Sequence, residues 1–451
     1  TAATTLGQLL SLEDLDEHEC YQAMDWLLMR QEAIQKKLAK KHLADGGPVL
    51  FDLSSSYFEG HTCPLAKYGY SRDKRGDLPQ VNYGMYCNAQ GVPIGVEVFP
   101  GNENDHDAFP KAVARVRNDF GRKNVIFVGD RGMISGKAID DYLRGDEGTQ
   151  WITALNSASI AKLQRQGDIQ LSLFDQRNLA SITHPDYPDE RLILCYNPLL
   201  ADERVRKREA LLTATEKLLA KVKAKVDRRR KPVRGKSEIG VEVGKVVNRK
   251  KVAKHFHIEI DDDRFEYSRN QEKIDVEASL DGIYVIRSNV NANEMSDEQV
   301  VAHYKNLALV ERAFRSLKSI DLRVRPINHR LEDRVRSHIF ICMLAYYIEH
   351  QLREALAPLM FVDEEKSSAE TRDSIVSPAR RSASARRKDA TRRNENGVRL
   401  SSFRDILESL SAVTRSTVII NGHPKGRFTV TSRPTSYQQE IIRHLGIARH
   451  L

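Results

Sequence analysis

Three acidic residues in this sequence occupy positions where a carboxylate could do chemistry. Asp52 interrupts the apolar run "VLFDL", Asp130 ends the apolar run "VIFVGD", and Glu311 lies in a helical pattern much later in the chain. An unpaired carboxylate in an apolar strand is costly unless something compensates its charge. A divalent cation is a natural compensation, because Mg²⁺ prefers oxygen ligands and needs few carboxylates when substrate phosphates supply the rest.

The residues around Glu311 repeat at a spacing that would line them up on one helix face. The stretch "AHYKNLALVERAFRSLK" (302–318) has apolar spacing compatible with an amphipathic helix. Tyr304, Glu311 and Lys318 recur every seven residues, and such positions drift by only ~20° around a helix. Arg315, four residues after Glu311, would share that side. Two interpretations stay open: a face that binds phosphates, or an ordinary solvated face with a Glu–Arg pair.

The elements that would position the acids follow in a recognisable order. Strands are predicted at 49–60, 81–89, 92–100, 124–130 and 151–155, with helices at 104–121 and near 135–144. An antiparallel opening followed by parallel strands and crossover helices predicts an α/β fold, with a mixed sheet covered by helices on both faces. This is the element order of the ribonuclease H-like fold. In that fold the first and fourth strands are neighbours, so Asp52 and Asp130 would converge.

The rest of the chain predicts further divisions. Between two parts of the core, an insertion with strand patterns and a long basic helix is expected. A polar segment with few large apolar residues predicts a disordered linker. The predicted parts are an N-terminal helical segment (1–45), the core (46–155 and 281–360), the insertion (156–280), the linker (361–399) and a C-terminal helical and hairpin unit (400–451).

Composition narrows the class of protein and its partners. Of 451 residues, 40% are hydrophobic and 29% charged, and Lys and Arg give a net charge of +9. That excess favours a polyanionic partner such as nucleic acid. The five cysteines are scattered without a CxxC pair, which fits reduced thiols better than disulfides or zinc. The most apolar run, 339–348, is shorter than the ~20 residues that span a bilayer, so no membrane association is expected.

Several segments resemble DDE-type transposases of bacterial insertion sequences. "YKNLALVERAFRSLK" resembles their Tyr-x2-Arg-x3-Glu-x6-Lys signature, with matches at Tyr304, Glu311 and Lys318, but Leu307 stands in place of the Arg. The resemblance runs from about residue 45 to 357 in the expected order, and in this group a β-rich insertion precedes the Glu. The other matching segments are "FDLSSSYFEG", "GYSRDKRGDLPQ", "FPGNENDHD", "FVGDRGM" and "DLRVRPINHRLEDRVRSHIFICMLA".

This resemblance implies a metal-dependent DNA transposase and endonuclease. It would cleave the ends of an insertion sequence and join their 3′-OH groups to target DNA. Asp52, Asp130 and Glu311 would be the catalytic residues and the ligands of two Mg²⁺ or Mn²⁺ ions. Two such ions lie ~3.5–4 Å apart and clamp the attacking and leaving oxygens of a phosphoryl transfer. The partners would be transposon ends and target DNA, bound by a homodimer in a synaptic complex, in the bacterial cytoplasm at the nucleoid.

The resemblance and the charge pattern also predict DNA contacts. Tyr304 and Lys318 would bind DNA, and Arg315 or Arg312 would replace the Arg missing at Leu307. The basic turn, defined as Arg228, Arg229, Arg230 and Lys231, is either a phosphate-binding segment or a solvated arm.

Other assignments for these residues also stay open. Asp52 alone could be an ion-paired acid at a strand end, and Asp130 could be a turn or cap residue. Glu59 and Asp105 are candidate supporting acids. The functional alternatives are a related nuclease without strand transfer and a non-catalytic DNA-binding relic, which Leu307 slightly favours.

Overall fold

The computed structural model describes residues 16–60, 62–146, 148–169, 178–318, 322–361, 387–388, 390–420 and 426–447. The chain divides into two units, one formed by Thr1–Gln150 with Lys305–Leu451 and the other by Trp151–Tyr304. Most of the linker predicted at 361–399 lies outside the described residues. The helical pattern at the start of the chain forms two helices, α1 (Glu17–Leu28) and α2 (Gln31–His42).

The first unit contains the strands that carry the candidate acids. These are β1 (Pro48–Tyr57), β2 (Gln80–Asn88), β3 (Pro93–Pro100) and β4 (Val125–Val128). They lie in the order β3-β2-β1-β4, with β1–β2 and β2–β3 antiparallel and β1–β4 parallel. The predicted antiparallel opening is therefore confirmed, and so is the adjacency of the first and fourth strands.

Helices cover this part of the sheet as the crossover pattern predicted. Helix α3 (Asp105–Asn118) precedes β4, and α4 (Gly136–Tyr142) leads to β5 (Thr149–Ala154). The inner face of α3 is apolar, and its Phe109 ring meets Phe127 of β4 edge to face, with 5.7 Å between centroids. This packing fixes the start of α3 beside the end of β4.

The second unit contains a sheet and a helical hairpin. Strands β6 (Leu179–His184), β7 (Tyr187–Tyr196) and β10 (Ile283–Ser288) form antiparallel pairs in the order β10-β7-β6, and β10 also pairs with β5. Strands β8 (Phe256–Ile260) and β9 (Phe265–Arg269) form a separate antiparallel hairpin. The helices are α5 (Ser157–Gln166), α6 (Pro198–Asp227), α7 (Lys236–Lys250) and α8 (Gln271–Ala278).

The β-rich character expected for residues 156–280 is not confirmed, because the described part contains four strands and four α-helices, with more residues in the helices. Helix α6 alone is 30 residues long, and α7 packs against it. The physical reason is the spacing of apolar residues, which recur at three, four and seven positions and so line one helix face. The buried residues of this hairpin are Leu212, Leu219, Val222 and Val226 on α6 and Ile239, Val243 and Val247 on α7.

The single helix predicted over 302–318 is wrong, because two helices meet at Asn306. Helix α9 (Asp297–Lys305) ends there and α10 (Leu307–Lys318) begins. The Asn306 carbonyl accepts the Leu309 N–H, and its side-chain amide donates to the Ala89 carbonyl at 2.9 Å. These bonds hold Asn306 in a turn, so Tyr304 lies on α9, whereas Glu311 and Lys318 lie on α10.

Helix α10 packs its apolar face on the strands of the first unit. Val310, Ala313, Phe314 and Leu317 are buried, and the Phe314 ring lies 5.8 Å from the ring of Tyr83 on β2. The opposite face, which carries Glu311, is exposed. Helix α10 is thus held against the sheet with Glu311 on its outer surface.

The C-terminal elements match the predicted helix, hairpin and helix. They are the long α11 (Glu332–Leu356), then α12 (Phe403–Ser411), β11 (Arg415–Ile419), β12 (Arg427–Thr431) and α13 (Ser436–Leu445). Leu356, Leu359, Ile406 and Ile441 form their common core. None of the helices in the described ranges is long and apolar enough to cross a membrane.

Candidate active site

The register of β1 and β4 brings Asp52 and Asp130 to the same place. Leu50 lies opposite Val128 in the parallel pair, and each Asp follows its Leu or Val by two residues. Because side chains alternate along a strand, residues two apart face the same side. Asp52 lies in the middle of β1 and Asp130 lies two residues beyond the end of β4, and the negative charge of Asp130 acts on Asp52, so the two carboxylates lie near each other.

Asp52 is an unusual carboxylate because it is mostly enclosed by protein. Its Oδ1 accepts the Leu53 N–H at 2.8 Å, and it makes no ion pair with any described residue. Burial, together with the negative charges of Asp130 and Asp105, raises the pKa of Asp52 to about 7. The Leu53 N–H and the Arg72 guanidinium oppose this rise only in part. A cation beside Asp52 would favour its ionised form.

Asp130 is exposed and is held by the turn that follows β4. Its Oδ1 accepts the N–H groups of Gly132 and Met133 at 3.0 and 2.8 Å. A Cβ on Gly132 would lie 3.4 Å from this oxygen and 3.7 Å from Oδ2 of Asp105. The carboxylates of Asp130 and Asp105 therefore flank the same glycine.

Asp105 joins this acidic group from the first position of α3. A carboxylate is stabilised there by the N-terminal end of the helix dipole. Arg72 NH2 lies 2.7 Å from Asp105 Oδ1, and the Arg72 N–H donates to Ser55 Oγ at 3.0 Å. Asp105, expected only as a supporting acid, is thus a member of the acidic group with its own cation. Glu59 is exposed and has no such partner in the described part of the chain.

Glu311 lies on the exposed face of α10, opposite the face that packs on the strands, and the structure does not show the three predicted acids as one metal-binding group. No three His, Cys, Asp or Glu side chains among the described residues are arranged to hold a metal ion. The physical reason is that the apolar residues Val310, Phe314 and Leu317 pack α10 on the sheet, which leaves Glu311 on the outer side of the helix. Glu311 stays on the exposed face of α10, with Arg312 and Arg315 exposed nearby.

The predicted phosphate contacts differ in how accessible they are. Lys318 Nζ lies 2.9 Å from Asp73 Oδ1, and its side chain is only 13% exposed. Burial lowers the pKa of Lys318, whereas Asp73 raises it. Tyr304 is half-buried at the end of α9 in the second unit, and Leu307 is half-buried at the start of α10. Of the predicted phosphate contacts near Glu311, Arg315 and Arg312 are accessible, whereas Lys318 is not.

The basic turn lies between α6 and α7 of the second unit. All four of its residues are exposed, and none makes an ion pair with a residue that the structure describes. The turn is closed by bonds of its neighbours, because Arg234 donates to the Val226 carbonyl at 2.7 Å and Val233 to the Lys225 carbonyl at 3.1 Å. Its charge is therefore available to a polyanion.

The donor set of the acidic group fits a divalent cation such as Mg²⁺. Asp52 and Asp130 offer carboxylate oxygens side by side, and no thiol or imidazole is needed. The enclosed Asp52, whose pKa is raised to about 7, is the observation that calls for a positive charge there.

Sequence comparison decides the family. The model of the family described as "Transposase DDE domain" matches residues 48–348. The chain belongs to this family. The transposase domain includes Asp52, Asp130, Asp105 and Glu311, so the acidic group and α10 both lie within it.

Comparisons with individual proteins found only weak similarity. No curated relative matches the chain. A piggyBac transposase synaptic complex with hairpin DNA aligns over 68% of this chain and 49% of its own, at 8% identity and a TM-score of 0.32. The Mos1 transposase paired-end complex with the left transposon end aligns over 33% and 46%, at 16% identity and a TM-score of 0.18. The chain spans about half the length of either protein.

Three residues near the site were not predicted from the sequence as site residues. Arg72, Asp73 and Arg325 lie in segments that resemble transposases, but no spacing links them to the acids or to Lys318. Asp73 and Lys318 are separated by 245 positions, so only the folded chain shows their contact.

Proposed function

We propose that this chain is a DNA transposase with a ribonuclease H-like core, which cleaves element ends and joins their 3′-OH groups to target DNA. The observation that carries the proposal is the placement of Asp52, within β1, beside Asp130, just after the adjacent parallel strand β4, inside a matched transposase domain. The predicted and observed order of elements supports the same core.

The acids have distinct parts in this proposal. Asp52 and Asp130 would hold Mg²⁺ or Mn²⁺, and Glu311 would complete the site from α10. Two bound ions would supply Lewis acidity to the attacking and leaving oxygens of the phosphodiester. Arg72 would hold Asp105 in place, and the turn at Gly132 would orient Asp130 through two backbone N–H groups.

The DNA would be bound by exposed cations. Arg315 lies one turn from Glu311 on α10, where its guanidinium can contact a phosphate near the reacting bond. The basic turn of the second unit would contact the DNA backbone elsewhere. The proposed active species is a homodimer that holds two ends, as paired ends require two active sites.

The test is a cleavage and strand-transfer assay on DNA carrying the element ends. Asp52→Asn, Asp130→Asn and Glu311→Gln should each lower both reactions by about a thousandfold or more, because each removes a cation ligand. Asp140→Asn is a matched control, since that acid is exposed and paired with Arg144 on α4. DNA binding should change little in all four variants. Near-normal strand transfer by any of the three would remove that residue from the site.

The same assay separates the two alternatives. A nuclease without strand transfer would release hydrolysed ends but no joined product, whereas a relic would bind DNA and produce neither. Activity should require Mg²⁺ or Mn²⁺, and Ca²⁺ should support binding with little turnover because its coordination is longer and looser. Robust cleavage in excess chelator would contradict the metal assignment.

A further inference from the structure

One nearly buried carboxylate, Asp73, holds two cations from a distant part of the chain. Its Oδ1 lies 2.9 Å from Lys318 Nζ and 2.7 Å from Arg325 NH1. The side chains of Asp73, Lys318 and Arg325 are 5%, 13% and 9% exposed. These three residues are called the Asp73 clamp below. Ion pairs this enclosed are costly to break, because one charge is left without its partner.

The clamp joins three segments of the first unit. Asp73 lies in the connection between β1 and β2, Lys318 is the last residue of α10, and Arg325 follows shortly after. Backbone contacts run alongside, since the Val324 N–H donates to the Leu317 carbonyl at 2.9 Å and Phe58 bridges to Ile327. The C-terminal end of α10 is therefore tied to the connection that leaves β1.

Arg72, the residue before Asp73, is a cation that pairs with an acid. Arg72 pairs with Asp105 of the acidic group and donates its N–H to Ser55 of β1. Two consecutive residues thus pair with opposite charges: Arg72 contacts the acidic group, and Asp73 contacts two cations. The connection is therefore tied to the acidic group through Arg72 and to α10 through Asp73.

We propose that Asp73 is a positioning residue: it fixes α10, and with it Glu311, against β1, and Lys318 acts through Asp73 and not on a DNA phosphate. This inference rests on the proposed function. Glu311 lies seven residues before Lys318, which is about 10 Å along the helix. Because an α-helix is stiff over two turns, an anchor at Lys318 also limits where Glu311 can lie.

Moving Lys318 onto DNA would disrupt the clamp. Asp73 Oδ2 is buried without a hydrogen-bond partner in the described part of the chain, and so is Arg325 Nε. Asp73 would then keep only Arg325. Arg315, one turn earlier and exposed, can meet a phosphate with no such loss.

The first test is a double-mutant cycle on the full chain without DNA or metal. Asp73→Asn and Lys318→Met should each lower the melting temperature by about 5–10 °C, and the double variant should lose clearly less than their sum. Asp77→Asn is the matched control, because Asp77 lies in the same connection but pairs with Arg75 at the surface. Additive losses would overturn the clamp. Lys318→Met, which leaves Asp73 with Arg325, keeps the test available if Asp73→Asn does not fold.

The second test separates positioning from stability alone. Mn²⁺ binding to the free protein, well below the melting temperature of each variant, should weaken by about tenfold in Asp73→Asn because Glu311 is no longer held in place. Asp77→Asn should bind Mn²⁺ as the wild type does. Unchanged Mn²⁺ affinity in a folded Asp73→Asn protein would overturn the positioning role.

The third test concerns Lys318 and DNA. The salt dependence of DNA binding should keep its wild-type slope in Lys318→Met, whereas Arg315→Ala should lower it by about 0.9. A fall of that size in Lys318→Met would mean that Lys318 binds phosphate, which overturns the inference. The first two tests need neither DNA nor turnover. A wild-type protein that failed in strand transfer would therefore count against the proposed function and not against the clamp.

Discussion

The cations of the Asp73 clamp and those of the basic turn have the same chemistry but opposite surroundings. Lys318 and Arg325 are nearly buried and share one carboxylate, whereas all four residues of the basic turn are exposed and make no ion pair with a described residue. A buried cation with an acid partner contributes to the fold, and an exposed cation without one is available to a polyanion. The difference teaches that charge runs in a sequence do not by themselves identify the DNA-binding residues.

The largest expected effect tests whether the clamp contributes more to stability than the basic turn does. Arg325→Met should lower the free energy of unfolding by about 3 kcal/mol, because it removes one cation from a buried group. Arg229→Met in the basic turn, the matched change at an exposed position, should stay within about 0.5 kcal/mol of wild type. Chemical denaturation of both proteins measures the difference. Equal, small losses would mean that the clamp contributes no more than a surface charge.

The next effect concerns DNA affinity, to which the basic turn should contribute. Replacing Arg228, Arg229, Arg230 and Lys231 together with Ala should lower the slope of log affinity against log salt by about 3–4 units. Binding should weaken for all sequences alike, since phosphate contacts carry no sequence information. Titrations at several salt concentrations measure this slope. An unchanged slope would show that the basic turn is only a solvated arm.

The sequence predicted the central part of the fold well, because local patterns and adjacency rules determine it. The apolar run ending at Asp130 and the strand holding Asp52 formed neighbouring parallel strands, as predicted. The helix break at Asn306 was missed because it depends on a bond to Ala89, which lies 217 positions away. The contact of Lys318 with Asp73 is equally invisible in the sequence, because the two residues are 245 positions apart.

A second contrast is between two enclosed carboxylates: Asp73 makes ion pairs with two cations, whereas Asp52 makes none with a residue that the structure describes. Burial raises the pKa of Asp52 to about 7, so the folded chain holds a proton that the unfolded chain has already lost. The contribution of Asp52 to stability is therefore full below pH 4 and is lost as the pH rises through 7. Without divalent cations, unfolding at pH 5 and pH 8 should differ by on the order of 2 kcal/mol more in wild type than in Asp52→Asn.

Added cations and a control variant test the cause of this pH dependence. Added Ca²⁺ should reduce the pH 8 penalty, because a cation beside Asp52 favours its ionised form. Asp140→Asn, which changes an exposed acid by the same chemistry, should keep the wild-type pH dependence. If Asp52→Asn also kept it, the carboxylate would be as solvated as a surface acid, and the argument for a cation at this place would be lost.

The smallest expected effect concerns two exposed arginines on the same helix. Because α10 begins at Leu307, the angles around it remain valid from Glu311 onward. Arg315 lies ~40° from Glu311 around the helix, and Arg312 lies ~100° away. Arg315→Ala should therefore lower strand transfer by about tenfold, and Arg312→Ala by much less, since only Arg315 shares the side of α10 that carries Glu311.

Stability separates this effect from damage to the fold. Both arginines are exposed and make no ion pair with a described residue, so both variants should unfold within about 0.5 kcal/mol of wild type. Comparable, mild losses of strand transfer would show that neither arginine replaces the cation missing at Leu307. Glu311 would keep its proposed role in that case, because its placement rests on the packing of α10 against β1 and not on its neighbours.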